Sequence, residues 1–80
     1  MYYVYVIRSL KFPDKIYAGY TLSVLSRLET HNNGGSVYTA DYKPWELVFY
    51  CGFENKKKAQ EFEQYLKSHA GRSFITKRLI

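Results

Sequence analysis

Cysteine is nearly missing from this chain: Cys51 is the only one among 80 residues. No disulfide can close within the chain. One Cys and two His also fall short of the four ligands of a structural zinc site. A reducing, cytoplasmic setting is the expectation. Proline occurs twice and glycine five times, without forming a linker or a low-complexity segment, and no internal repeat is visible. No apolar run is long enough to span a membrane, so no membrane partner is expected. The opening stretch, Met1 to Leu10, alternates and carries Arg8, so it reads as a strand rather than a secretory signal. Carboxylates are scarce, with seven Asp and Glu against twelve Lys and Arg. No Asp-x-Asp or Glu-x-x-His pattern occurs, which argues against a two-metal site built from several carboxylates.

What is abundant is aromatic and basic. Nine Tyr, five Phe and one Trp supply large buried areas. A chain this short needs them, since it buries only about 60% of its unfolded surface. Residues 1–80 read as one domain. The net charge of +5 favours a polyanionic partner such as nucleic acid, although a charge of this size also serves solubility alone.

Hydrophobic patterning predicts an α+β fold in the order β-β-α-β-α around a small three-stranded antiparallel sheet, with helices flanking it. Tyr2 to Arg8 is β-forming, with Tyr3, Tyr5 and Ile7 on one face and Val4 and Val6 on the other. Pro13-Asp14 marks a turn into a second strand, Lys15 to Tyr20. Gly19, near its end, lets another backbone or a ligand come close. Thr21 is the expected cap of a helix to about Asn32 or Asn33, with Leu22, Leu25 and Leu28 as its apolar stripe and Gly34-Gly35 as its stop. Ser36 to Pro44 reads as a loop. Trp45 to Phe53 is the third strand, with Leu47, Phe49 and Cys51 opposite Val48 and Tyr50. Asn55 caps a second helix to about Ser68, buried through Ala59, Phe62 and Leu66. Gly71 is expected to break it. Ser73 to Leu79 reads as either a short final helix or an extended tail.

Several residues stand out as chemistry-bearing. Arg27 and His31 are four apart and share a helix face. That face lies roughly 110° from the leucine stripe, placing the pair beside the core, where strand two ends. The plain alternative is a snorkelling Arg and a helix-end His. Glu63 borders the stripe of the second helix, where a carboxylate needs a cation, a donor or a metal; the plain alternative is an i,i+4 pair with Lys67. One carboxylate, with phosphate oxygens and water, is a normal way to hold Mg²⁺. Tyr5 and Tyr17 lie on neighbouring strands and can converge on one face, but strand tyrosines usually pack. Lys56, Lys57 and Lys58 open a helix against its dipole, as a phosphate contact or a solvated start.

Taken together, these residues resemble the GIY-YIG nuclease domain, over essentially the whole chain. Its two tyrosine motifs match Tyr3-Val4-Tyr5 and Tyr17-Ala18-Gly19, its helical arginine matches Arg27, and its later glutamate matches Glu63, with Ala59 before and Leu66-Lys67 after. The set is most similar to small stand-alone bacterial members (UPF0213-like), through Arg27-Leu28-Glu29-Thr30-His31-Asn32, Pro44-Trp45-Glu46-Leu47-Val48 and Gly71-Arg72. Tyr3, Val4 and Ala18 depart from the motif's usual Gly, Ile and Ile, all at packing positions. An asparagine found late in many larger members has no evident match.

The resemblance implies an endonuclease that hydrolyses phosphodiester bonds in DNA with one divalent ion, Mg²⁺ or Mn²⁺, in repair or processing. Glu63 would hold the ion. Arg27 would bind a phosphate oxygen or the attacking water. Tyr5 or His31 would be the general base, with Tyr17 assisting; the sequence does not choose between them. Lys15, Lys43, Lys56, Lys57, Lys58 and Arg72 are candidate substrate contacts, with Tyr38 or Tyr42 available for stacking. A non-catalytic DNA or RNA binder and an RNA-cleaving enzyme are the competing readings. Oligomeric state is left open, with a monomer slightly favoured.

Overall fold

The computed structural model describes the whole chain, Met1–Ile80. Seven elements follow one another: β1 (Tyr2–Ser9), β2 (Ile16–Thr21), α1 (Val24–Asn32), α2 (Val37–Ala40), β3 (Trp45–Phe53), α3 (Lys56–Lys67) and α4 (His69–Arg78). The three strands form one antiparallel sheet in the order β2-β1-β3. This is the expected α+β arrangement, with one short helix added in the loop after α1 and the C-terminal helix formed.

β1 is central, and its alternation divides the core. Val4 and Val6 pack with Ile16, Ala18, Ala59, Leu66 and Ile75 on the side covered by α3 and α4. Tyr5 and Ile7 pack with Trp45 on the other side, joined by Val24 and Leu28 of α1. Burying both faces of β1 explains why its sequence is apolar on both.

β3 departs from simple alternation. Its register with β1 slips between Val6 and Ile7. Val48 and Phe49 therefore both pack with the Val4 side, while Leu47 joins Trp45. A bulge of this kind sets two residues of one strand against one of its partner. The expected grouping of Leu47 with Phe49 and Cys51 is corrected accordingly.

The entry to α1 is also corrected. Ser23, not Thr21, is the N-cap, its hydroxyl accepting from Ser26 N at 3.4 Å. Thr21 instead closes β2, accepting from Ser23 N and donating to Ser23 O, both at 3.1 Å. Leu22 and Leu25 are exposed. The inward stripe is Val24, Leu28 and His31, spaced i, i+4, i+7. His31 can take an interior place because both of its ring nitrogens are hydrogen-bonded there.

At the far end, the chain turns at Ser68, which ends α3 and starts α4. Its hydroxyl donates to Tyr65 O at 2.6 Å and accepts from Gly71 N at 3.1 Å. Gly71 is helical rather than a breaker. A Cβ there would lie 1.8 Å from Tyr65 O, so glycine is needed for α4 to fold back against α3.

Candidate active site

Tyr5 leads to the site. Its Cα partner on β2 is Gly19, and a Cβ on Gly19 would come within 2.3 Å of the Tyr5 hydroxyl. The missing side chain therefore makes room for the Tyr5 phenol itself to lie across β2.

The Tyr5 hydroxyl meets His31 Nε2 at 2.8 Å, and His31 Nδ1 meets Thr39 Oγ1 at 2.8 Å. Thr39 Oγ1 donates to Ser36 O at 3.5 Å, which leaves its lone pairs for an Nδ1–H. With the Thr39 hydroxyl given to Ser36, the assignment that follows is that His31 donates from Nδ1 to Thr39 and Tyr5 donates to the bare Nε2. All three residues are buried, with Tyr5 at 3%, His31 at 2% and Thr39 at 0% exposure. His31 thus sits within the core, not beside it.

Thr39 is the residue missed by sequence reasoning. It lies in what reads as a loop, and α2 (Val37–Ala40) is a single turn held from outside. Trp45 Nε1 donates to Thr39 O at 2.8 Å. Asn32 clamps the start of β3, accepting from Trp45 N at 2.6 Å and donating to Trp45 O at 3.1 Å. A small polar residue in a loop carries no signal of such a role. Its partners become evident only when α1, α2 and β3 are brought together.

The electrostatics follow from burial. Loss of water pushes the Tyr5 hydroxyl well above the ordinary tyrosine range. Tyr17 and Glu63 add to that rise, while Arg27 opposes it. Burial, and then the Arg27 charge, pulls the His31 imidazole down. Near neutral pH both groups are uncharged, with a phenol as donor and an imidazole nitrogen as acceptor.

The β2 edge is where the two sides of the sheet meet. Tyr17 contacts the His31 ring at 5.2 Å and the Tyr38 ring at 5.8 Å between centroids. From the α3 side, Lys67 Nζ lies 5.2 Å from the Tyr17 ring centre and 3.1 Å from Glu63 Oε2. The Glu63 side chain is 16% exposed. The i,i+4 pair with Lys67 therefore forms, and it forms beside the tyrosines. Arg27 is exposed and lines an open groove with Thr30 and Lys56 past the end of β2.

Tyr5, Tyr17, Arg27, His31 and Glu63 are thus brought to one edge, with Lys56 on one flank and Tyr38 and Arg72 on the other. The remaining expected contacts are dispersed. Lys58 is exposed and lies 3.8 Å from Glu61, and Lys57 is exposed beside it. Lys15 sits over the Tyr42 ring, and Lys43 lies near Gly34. Tyr42 is engaged by Phe12 edge-on and packs with the Trp45 cluster, so it is not free to stack. No group of three or more His, Cys, Asp or Glu side chains gathers as a metal cage. Glu63 suits a hard cation in another way. It is a single, largely buried carboxylate that already holds a cationic ammonium on one oxygen, leaving phosphate and water to complete a shell.

The family model described as the GIY-YIG catalytic domain matches residues 1–77. The UPF0213 protein of Clostridium perfringens is 40% identical over 68 residues, covering 84% of this chain and 71% of that protein. The UPF0213 protein of Pediococcus pentosaceus is 33% identical over 75 residues, covering 92% of this chain and 77% of that protein. The structure-specific endonuclease subunit SLX1 of Malassezia globosa is 38% identical over 77 residues, covering 90% of this chain but only 17% of the longer protein.

Proposed function

Because the chain belongs to the GIY-YIG catalytic domain family, a family of nucleases, we propose that it is an endonuclease that hydrolyses phosphodiester bonds in DNA, assisted by one Mg²⁺ or Mn²⁺ ion. The observation that carries this reading is the buried Tyr5–His31–Thr39 hydrogen-bond chain ending at the β2 edge beside Glu63 and Arg27.

Tyr5 is the group we assign to accept the proton of the attacking water. Alone it is a poor base, because burial disfavours its phenolate. His31 takes up the charge in its place as an imidazolium, against its own burial and the Arg27 charge. As water gives a proton to the Tyr5 oxygen, the phenolic proton moves to His31 Nε2, so no net phenolate forms. Thr39 holds the imidazole in the tautomer whose Nε2 can accept. Arg27 binds a phosphate oxygen and offsets charge growing in the transition state. Tyr17 holds the His31 ring from the side. A divalent ion held by Glu63 would polarise the scissile phosphate and stabilise the leaving oxygen. Lys67 keeps the Glu63 carboxylate oriented towards Tyr17.

The test is a cleavage assay on single-stranded, duplex, flapped and branched DNA, and on RNA, with Mg²⁺ or Mn²⁺. Metal-dependent cutting by the wild type is expected, with a loss of about a hundredfold or more in Glu63→Ala and Arg27→Ala. Binding without any metal-dependent cutting would sink the nuclease reading, and cutting of RNA alone would reassign the substrate.

A further inference from the structure

Beside the candidate active site lies a groove that shares Tyr17 and Lys67 with it and whose other residues the mechanism does not use. Its floor is aliphatic, formed by Ile16, Ala18 and Leu66, and its rim carries Tyr38, Lys67 and Arg72. Tyr38 is 53% exposed, and Arg72 is exposed as well. Tyr17 forms one wall and touches the His31 ring on its other side. The groove has a volume of about 220 Å³. That is below the roughly 300–1,000 Å³ of sites for drug-sized ligands, leaving room for one ring system but not for a base pair.

Each feature narrows the occupant. An aliphatic floor beside the adjoining Tyr17 and Tyr38 rings takes a flat apolar face. It offers no hydrogen-bonding group to read a base edge. A guanidinium on the rim suits a phosphate attached to that ring. A flat ring with an attached phosphate is a nucleotide, and a base already stacked in a duplex cannot present its face. We propose that this groove is a subsite for one unpaired base of the bound DNA strand, next to the phosphate brought to Tyr5. Tyr38 stacks on the base, and Arg72 contacts the adjoining phosphate. The inference rests on the nucleic-acid reading of the neighbouring site and specifies which part of the strand is held there. Because the floor contacts faces and not edges, the subsite tolerates any base.

Binding measured by fluorescence anisotropy in EDTA separates this inference from catalysis. The probes are a short fluorescein-labelled single-stranded DNA, the same strand with one abasic position moved along it, and its duplex. Tyr38→Ala is expected to weaken binding of the single strand about tenfold, the order of one lost base–aromatic stack, and Tyr38→Phe to restore it. Duplex binding is expected to be the same in wild type and Tyr38→Ala. One abasic position should cost the wild type the same factor and add nothing to Tyr38→Ala. Equal weakening of single strand and duplex by Tyr38→Ala, or indifference to every abasic position, would overturn the subsite. A separate Mg²⁺ cleavage assay distinguishes the two readings. Intact cutting with no Tyr38 effect rejects only the subsite. A Tyr38 effect without cutting supports the subsite and rejects the nuclease.

Discussion

The Thr39 hydroxyl is the smallest group on which the proposed chemistry turns. Thr39→Val keeps the shape but removes the acceptor for His31 Nδ1–H. A buried donor without a partner costs about 1–3 kcal/mol, and the imidazole loses its tautomer bias. The expected outcome is a kcat about tenfold or more lower with little change in KM and a displaced pH–rate profile, all restored in Thr39→Ser; steady-state cleavage across pH checks it. Gly19→Ala tests the same chain from the other side. The new Cβ would meet the Tyr5 hydroxyl at 2.3 Å, so the phenol must move, and overpacking of this kind costs about 1–3 kcal/mol. Cleavage is expected to fall further than stability explains. His31 also makes the fold acid-sensitive. Unfolded, an imidazole takes up its proton near pH 6.5, whereas burial and Arg27 keep folded His31 neutral to lower pH. The unfolded state therefore binds more protons in that window. Stability is full above about pH 6.5 and is lost as pH falls through the folded value. Thermal melts from about pH 7 to about pH 5 should show a falling Tm, with a shallower fall in His31→Gln.

At the scale of elements, α1 is the sharpest case. Leucines are the strongest helix-face signal in the sequence, yet two of the three face solvent. Burial is decided by which residues the sheet needs. Val24 and Leu28 fill the space over Tyr5 and Ile7, and His31 is admitted because its nitrogens are satisfied. Leu25→Ser is accordingly expected to change stability by less than about 0.5 kcal/mol, and Leu28→Ala to cost about 2 kcal/mol. Chemical denaturation of the two variants distinguishes the stripes, since the leucine stripe read from sequence predicts equal losses. α4 shows a related lesson. A glycine in sequence reads as a stop signal, because glycine is the residue of helix ends. Gly71 instead lies where the α3 backbone at Tyr65 and Leu66 leaves no room for a Cβ, a need that exists only once both helices are placed.

Across the whole molecule, the sheet acts as a partition and β2 as the edge strand at which its two sides meet. The proton chain comes from the α1–α2 side, and the carboxylate and its lysine come from α3 on the other. They meet only because Gly19 lets Tyr5 lie over the edge strand. A site assembled this way should separate binding from cutting. Chelating the metal with EDTA is expected to abolish cleavage while DNA binding persists, and that binding should weaken linearly in log K against log salt, as phosphate contacts require. Gel-shift and cleavage assays run side by side over a salt series check both. Cleavage unaffected by EDTA would remove the role given to Glu63.

Local chemistry was enough to determine much of this protein. Alternation in β1, the limits of β3 and α3, the Asn55 cap and the presence of Tyr5, Tyr17, Arg27, His31 and Glu63 are all legible in order along the chain. Each depends on a short-range rule of periodicity, capping or motif spacing. The tertiary structure decided the rest. It set the face that α1 buries, the bulge that regroups Leu47, the helical place of Gly71, the occupancy of the gap at Gly19 and the partnership of His31 with Thr39. Those features depend on what an element packs against, and the packing partner lies outside the window in which sequence patterns operate.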